Sequence, residues 1–480
     1  MLELFIDGKP VRAEKNETVL QAAVANGISI PYFCWHPRLS VPGNCRICLV
    51  EVEDEKGGNW TDIACNMPVA EGMRVLTDSD AVRAHRKAML QLILLNHPVD
   101  CGICDKAGEC TLQDYHYEYS GLPSVSRDAK VRATKFHPLS ERIVLDNERC
   151  ILCSRCVRFT HEISKSHALG IQERGDHSLV RAVEDGRFDA DPYSDNVIDL
   201  CPVGALLSRS FLYKARVWYL QPTPSVCPGC ERGCTVQIWH RKPEWHLSAL
   251  DPRQNTAIAR VSPLENPNVN GPWICNKGRD LARIFERPRA EQAMLTGVPT
   301  ELSAATAAAR RLVAAAKRPV ALVSSWGSNE ELAAFKAHLG GRFASFVKQD
   351  CRPAPGEPLE DDLLIRPDKN PNTTGARKLF GDAAPAFRND TDLVLVWGEG
   401  FDFARLPRGA KTIVLDAYAH PDNARADVFL PVSIQTERRG HYTNFAGVVS
   451  AFEPCFPKRA SVADAERLFV SLAAAVEALA

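Results

Sequence analysis

Cysteine is the residue of this chain best able to do chemistry, and its placement is uneven. Of 17 cysteines in 480 residues, fifteen lie before residue 276; only Cys351 and Cys455 follow. A chain this long can bury a real core and gains little from a dense disulfide framework. The N-terminus, Met1-Leu-Glu-Leu-Phe-Ile-Asp7, has no basic stretch followed by an apolar one, so no secretory leader is expected. In a reducing compartment, clustered cysteines serve metals or redox chemistry.

The first group is Cys34, Cys45, Cys48 and Cys65. Gly43-Asn-Cys45-Arg-Ile-Cys48 would offer two thiolates from one tight loop, where glycine frees the backbone to approach sulfur. Four thiolates with one C-x2-C pair suit a 2Fe–2S centre, and a structural zinc ion is the other chemistry they fit. The second group is His97, Cys101, Cys104 and Cys110. A histidine at a helix end is usually a surface residue, but here C-x2-C-x5-C supplies three thiolates and lacks a fourth donor. A neutral imidazole in place of a thiolate removes one negative charge from a 4Fe–4S site and should ease its reduction.

The third group begins Cys150-x2-Cys153-x2-Cys156, the opening of a bacterial ferredoxin motif. Its fourth cysteine, due before a proline, is replaced by Thr160-His161. A Cys-Pro pair stands instead at Cys201-Pro202. Counting back from Cys201 by the motif's spacing reaches Asp191, Ser194 and Val197. In two-cluster ferredoxins the fourth cysteine of each motif serves the other cluster. Cys201 should therefore complete the set of Cys150, Cys153 and Cys156, the second cluster having been erased. Arg149, Arg155 and Arg158 flank this set and would soften its negative charge. The fourth group is Cys227-x2-Cys230-x3-Cys234 with Cys275, which suits 4Fe–4S or, less well, a zinc ribbon. Fifteen cysteines and one histidine make sixteen donors, the number that four clusters need.

The elements that must hold these loops can be read in part. Leu2–Ile6 reads as a strand, Asp7-Gly8 as a hairpin turn and Val11 as the start of a return strand. Thr18-Val-Leu-Gln21 is a capping box opening a helix. Residues 80–96 should form an amphipathic helix with Val82, Met89, Leu90 and Ile93 on one face, ended by Pro98. The loop from Pro263 to Pro272 is expected to absorb the long gap between Cys234 and Cys275. Residues 284–300, with Pro288 and Pro299, read as a polar connection. Beyond it, strands at Val320–Ser324, Ala344–Val347, Leu393–Trp397 and Thr412–Leu415 and a helix at Asn329–His338 argue for an α/β sheet. No G-x-G-x-x-G or Walker loop follows a strand, and Gly398-Glu-Gly400 reads as an ordinary turn. Cys351 and Cys455 are assigned no function, since a lone cysteine is usually a small buried apolar residue.

Composition narrows the function further. Net charge is -1, with 45% hydrophobic and 24% charged residues, ordinary values that give no sign of nucleic-acid binding. No run of 18 apolar residues is present, so any work at a membrane would be done by docking to other subunits.

The order of modules, with Cys45-Arg-Ile-Cys-Leu-Val-Glu-Val52, His97 before its three cysteines, and the half-erased ferredoxin motif, resembles the large iron–sulfur subunit of bacterial respiratory complex I (NADH:quinone oxidoreductase) over residues 1 to about 283. The resemblance implies a multidomain α+β and α/β chain. Its parts are a β-grasp 2Fe–2S domain at 1–78, a domain with histidine-plus-three-cysteine 4Fe–4S ligation at 79–119, a ferredoxin-type 4Fe–4S domain at 140–216, a molybdopterin-oxidoreductase-type 4Fe–4S module at 221–283 and a shortened α/β domain at 290–480. In the last of these, Asp368-Lys-Asn-Pro-Asn-Thr-Thr-Gly375 and Ala426-Asp-Val-Phe-Leu-Pro431 through Tyr442-Thr-Asn444 and Gly447 resemble molybdopterin-oxidoreductase remnants; no molybdopterin is expected. Also implied are one 2Fe–2S and three 4Fe–4S clusters and no catalytic residues of the chain's own. The expected partners are a flavin- and NADH-binding subunit and other iron–sulfur subunits, with an indirect link to membrane subunits and quinone. The expected place is peripheral, on the cytoplasmic side of a bacterial inner membrane. The alternative is the electron-transfer (diaphorase) component of an NAD-linked hydrogenase or formate dehydrogenase.

Overall fold

The computed structural model describes residues 1–53, 58–135, 137–249 and 252–477, so the last three residues of the expected 290–480 domain lie outside the described residues. The chain divides into two compact units, Met1–Tyr219 and Leu220–Ala480.

In the first unit, alternation of apolar residues builds a five-stranded sheet. Leu4 and Ile6 point to one face and are fully buried. Leu2–Ile6 pairs antiparallel with Lys9–Ala13 around Asp7-Gly8, both at positive φ as a two-residue hairpin turn demands. It also runs parallel to Arg74–Leu76, which pairs antiparallel with Leu49–Glu53, itself paired with Asn59–Ile63. The expected capping box is present: Thr18 and Gln21 exchange side-chain hydrogen bonds at the start of helix Val19–Ala25. That helix covers the sheet over a core including Val11, Val19, Leu20, Val50 and Val75.

Ser79 caps the helix Asp80–Leu94 by accepting from the Val82 amide at 3.2 Å. Its buried face contains Val82, Leu90 and, unforeseen in the sequence, Arg86. Arg86 donates to the Leu49 carbonyl at 3.0 Å and lies over the Tyr119 ring. A basic side chain can thus hold a core position when a carbonyl and a ring receive its head. A third part of the unit has strands His137–Pro138, Ile143–Leu145 and Leu206–Ser208, a hairpin of Leu169–Gln172 with Leu179–Ala182, and helices Arg155–Glu162 and Asn196–Leu200.

The second unit opens with an antiparallel sheet of Leu220–Val226, Thr235–Arg241 and Ile258–Pro263. This corrects the expectation for the long gap. Much of the added length between Cys234 and Cys275 lies in paired strands, not only in the loop after Pro263. Residues 284–300 are likewise more than a connection. They contain helix Leu281–Phe285 at their start and a hairpin of Ala293–Leu295 with Val298–Thr300, which joins the large sheet by pairing with Val428–Pro431. Three-residue strands are too short to show a period in sequence.

The large sheet has seven strands, ordered Val298–Thr300, Ala293–Leu295, Val428–Pro431, Lys411–Asp416, Leu393–Trp397, Pro319–Ser324, Ala344–Lys348. The last five are parallel. Every residue of Pro319–Ser324 and Leu393–Trp397 is buried, the mark of strands covered on both faces. Helices Leu302–Ala315, Asn329–His338, Thr373–Phe380 and Ala465–Glu477 complete this part. Among the described residues no helix is long and apolar enough to cross a membrane.

Candidate metal centres

All 17 cysteines are free thiols, and fifteen of them gather as the sequence grouped them. In the first group, Cys48 sits just before strand Leu49–Glu53 and Cys65 lies in the turn after Asn59–Ile63, so the sheet fixes two donors directly. Cys34 and Cys45 come from the loop between helix and sheet. The Cys34 amide donates to Cys45 Sγ at 3.5 Å. Gly43 has φ +63°, and an added Cβ would lie 3.1 Å from Ile63 Cδ1. The glycine therefore serves a left-handed turn beside Ile63 rather than an approach to sulfur. The thiols pair as Cys34 with Cys45 and Cys48 with Cys65. The hydrogen bond from Cys45 draws Cys34 down to about 5, while that bond and burial push Cys45 well up. Cys48 is pushed up by its bond to Cys65 and by burial.

The second group is the loop between helix Asp80–Leu94 and helix Thr111–Tyr115. Its turns close by bonds from the Ile103 amide to the Asp100 carbonyl (2.9 Å) and from the Ala107 amide to the Cys104 carbonyl (3.0 Å). Cys104 is buried and Cys101 exposed. Burial lifts Cys110 to about 11. His97 Nδ1 is buried without a hydrogen-bond partner, and burial, then the Arg149 charge, lowers its imidazole to about 4. An imidazole kept neutral with an orphaned buried nitrogen has the state a metal ligand needs. The three cysteines act on one another, Cys104 on Cys110 and Cys101 on Cys104. His97 shares with Cys104 the field of Arg149.

In the third group the fold carries Cys201, at the end of helix Asn196–Leu200, to the loop that opens helix Arg155–Glu162. The charges of Cys150, Cys153 and Cys201 all bear on Cys156. Leu152 and Ser154 take positive φ, strained for residues with a Cβ, and the Leu152 amide donates to Cys150 Sγ at 3.4 Å. Burial raises Cys150 to about 12 and Cys153 to about 11. The positions of the erased second set are filled: Thr160, Asp191, Ser194 and Val197 are all buried. Thr160 Oγ1 donates to the Val157 carbonyl at 2.8 Å, and Asp191 accepts from Ser164 Oγ at 2.6 Å and the Tyr193 amide at 2.8 Å. Side-chain hydrogen bonds occupy that corner of the fold.

In the fourth group the Cys227 amide donates to the Cys234 carbonyl at 2.8 Å, and Gly233 supplies a turn at φ +61°. Cβ atoms at Gly229 and Gly278 would each stand 3.4 Å from Cys227 Sγ. Here glycine does let the backbone close on sulfur. Burial pushes Cys227 well up and Cys275 to about 11. Lys277, two residues after Cys275, pairs with Glu357 at 2.7 Å.

Buried thiols held above neutrality cannot become thiolates unless a cation enters with them, and a positive iron–sulfur core is such a cation. Among the described residues no three His, Cys, Asp or Glu side chains converge tightly enough to hold one metal ion.

The first three groups are tied to one another. Arg158 Nη2 donates to the carbonyls of Cys34 (2.5 Å) and Cys153 (3.3 Å), and Asn44 Nδ2 to that of Leu152 (3.0 Å). Arg155 joins the carbonyls of Trp35 (2.6 Å) and Leu200 (3.2 Å). The third group meets the second where the Thr111 amide donates to the Pro202 carbonyl at 3.0 Å. At the same junction Arg149, fully buried, pairs with Asp100 at 3.0 Å and Asp146 at 3.1 Å. First and second also touch through Tyr115, whose hydroxyl accepts from the Tyr32 amide at 3.2 Å. The sequence draws attention to the three arginines as charges; that each spans two loops is visible only in the fold.

Four family models match in order along the chain: a 2Fe-2S iron-sulfur cluster binding domain (residues 1–80), the NADH-ubiquinone oxidoreductase-G iron-sulfur binding region (86–121), the ferredoxin-like domain of NADH-quinone oxidoreductase subunit 3 (140–207) and the molybdopterin oxidoreductase Fe4S4 domain (220–287). An NADH-quinone oxidoreductase subunit of Rickettsia typhi is 37% identical over 279 residues, 58% of this chain and 39% of that protein. The NADH-ubiquinone oxidoreductase 75 kDa subunit of Reclinomonas americana is 38% identical over 291 residues, 60% and 39% of the two chains. The mitochondrial NADH dehydrogenase [ubiquinone] iron-sulfur protein 1 of Solanum tuberosum is 37% identical over 299 residues, 62% and 38%. A solved NAD+-reducing [NiFe]-hydrogenase chain overlaps 45% of this chain and 91% of its own at 28% identity and TM-score 0.40, too loosely to argue from. The matched stretch is 38–39% of the length of these curated relatives. With its iron–sulfur domain models in this order, the chain is a relative of the 75 kDa iron–sulfur proteins of the NADH-quinone and NADH-ubiquinone oxidoreductases.

Proposed function

We propose that this chain is the electron-transfer subunit of an NADH:quinone oxidoreductase, relaying single electrons from a flavin-bearing partner toward quinone. It would hold a 2Fe–2S cluster on Cys34, Cys45, Cys48 and Cys65. It would hold 4Fe–4S clusters on His97, Cys101, Cys104 and Cys110, on Cys150, Cys153, Cys156 and Cys201, and on Cys227, Cys230, Cys234 and Cys275. When bound, such clusters supply one-electron redox chemistry with little rearrangement. Everything else is the work of the chain. The observation that carries the reading is the cross-tying of three donor groups within one unit by Arg158, Arg155 and Arg149. A relay needs its centres held at fixed spacing, and buried guanidinium forks bonded to backbone carbonyls are rigid spacers.

The donor groups do not follow chain order in space. Shared donors join the first to the third and the third to the second. Cys101 is exposed, with exposed Val99 and Ile103 beside it, which marks the second group as the place where a partner's redox centre would approach. The partners are the flavin- and NADH-binding subunit and other iron–sulfur subunits of a peripheral arm, which would hold this chain on the cytoplasmic side of a bacterial inner membrane. The test is anaerobic purification of the chain with its partners and EPR on stepwise reduction. Four resolvable cluster signals support the reading; a colourless, EPR-silent protein rejects it.

A further inference from the structure

Arg158 lies on helix Arg155–Glu162, between two loops that bring donors to different groups. Its Nη2 reaches the carbonyl oxygens of Cys34 and Cys153 at 2.5 and 3.3 Å. Nη1 donates to the Ser40 carbonyl and Nε to Ser154 Oγ at 3.2 Å. All four acceptors are neutral. Glu162 acts on Arg158 only through space, because its two oxygens receive the Ser40 amide (2.8 Å) and hydroxyl (2.5 Å). Arg149, at the other junction, differs: Asp100 and Asp146 balance its charge. One junction thus carries a cation paired with carbonyl dipoles, the other a cation paired with carboxylates.

We propose that Arg158 is a positioning residue shared by the first and third donor groups, whose single charge raises the reduction potentials of both clusters together. The inference rests on the cluster reading above. Reduction adds one electron to a cluster whose thiolates are already negative, and a half-buried cation bonded to a ligand residue of each set favours the reduced form of both. The hydrogen bonds polarise the Cys34 and Cys153 carbonyls away from the sulfurs, which acts in the same direction.

The experiment is an EPR-monitored redox titration of the full chain in its complex. Arg158→Gln should shift the reduction equilibria of the clusters assigned to Cys34 and to Cys153 about tenfold toward the oxidised form, about 59 mV for a one-electron couple. The cluster of Cys227 should stay where it is. Arg158→Lys keeps the charge and should return both potentials most of the way. A shift in one cluster alone, in neither, or as large in the lysine variant as in the glutamine one overturns the proposal. Should Arg158→Gln fail to retain its clusters, Glu162→Gln removes the opposing charge and should raise both potentials; movement of only one, or of none, then overturns it. Absence of both signals from the unaltered chain would instead reject the cluster reading itself.

Discussion

The first unit and the second treat their cysteine groups differently. In the first, hydrogen bonds from one group's surroundings end on another group's backbone: Arg158 on Cys34 and Cys153, the Thr111 amide on the Pro202 carbonyl. In the second, the bonds around the fourth group end within its own unit. The Glu231 amide donates to the Asp368 carbonyl at 2.8 Å, and Lys277 and Lys369 both face Glu357, at 2.7 and 3.7 Å. Lys369, itself buried, spends its ammonium on the carbonyls of Pro358, Leu359 and Arg366. The first arrangement fixes several centres relative to each other. The second fixes one centre to an α/β sheet, which suits a structural or side cluster better than a link in a series.

The sharpest way to break this comparison is at a donor. Cys201→Ala should abolish the 4Fe–4S signal of the third group, leave that of the fourth and disturb the first and second less. Loss of the fourth group's signal instead would show that the pairing across the erased ferredoxin motif is wrong. Gly204→Ala comes next. Its Cβ would stand 2.2 Å from Cys104 Sγ and 3.2 Å from Lys106 Cβ, so a methyl placed in the third segment should deplete or broaden the second cluster's EPR signal. An unchanged second signal would mean that the junction is looser than the structure has it.

A gentler change is His97→Cys. A thiolate in place of a neutral imidazole adds one negative charge, so that cluster's midpoint potential should fall by at least about 59 mV, tenfold in the one-electron equilibrium. A rise in the EPR titration would mean that hydrogen bonds around the site outweigh ligand charge. The smallest effect belongs to the second unit's sheet. Burial, then Glu399, raises Asp416 to about 7 from an ordinary 3.8. The folded state therefore holds this proton more tightly than the unfolded one. The stabilisation is complete below about 3.8 and is lost as pH rises through about 7. Asp416→Asn keeps an acceptor for the Ala417 and Tyr418 amides and should stabilise this unit by on the order of 1–2 kcal/mol at pH 8, and by little at pH 4. Denaturation midpoints at the two pH values check the sign, and the first unit's EPR signals should not move.

How much of this is legible depends on how local the signal is. Cysteine spacing, the Thr18–Gln21 cap and the buried runs Leu393–Trp397 and Val320–Ser324 are patterns within a few residues, and the fold bears out those elements. The hairpin at Ala293–Thr300 escapes the sequence because two three-residue strands carry no period and Pro299 argues against one. Arg86 is written among helix surface residues, and only the approach of Leu49 and Tyr119 makes it a core residue. The same holds at the candidate centres. Spacing arithmetic can gather donors, because each donor set is spelled in cysteine. It cannot order the groups in space, because Arg158, Asn44 and Gly204 act between segments more than forty residues apart. The left-handed backbones at Arg46, Leu152 and Ser154 also leave no trace in sequence, since none is a glycine.

The central claim is that sixteen sulfur and nitrogen donors form four iron–sulfur sites. Its most direct test is metal and acid-labile sulfide analysis of the anaerobically purified chain. Iron and sulfide should appear in equal amounts, matching one two-iron and three four-iron clusters per chain, with no stoichiometric zinc. Zinc bound in place of iron, with no sulfide released on acidification, would contradict it.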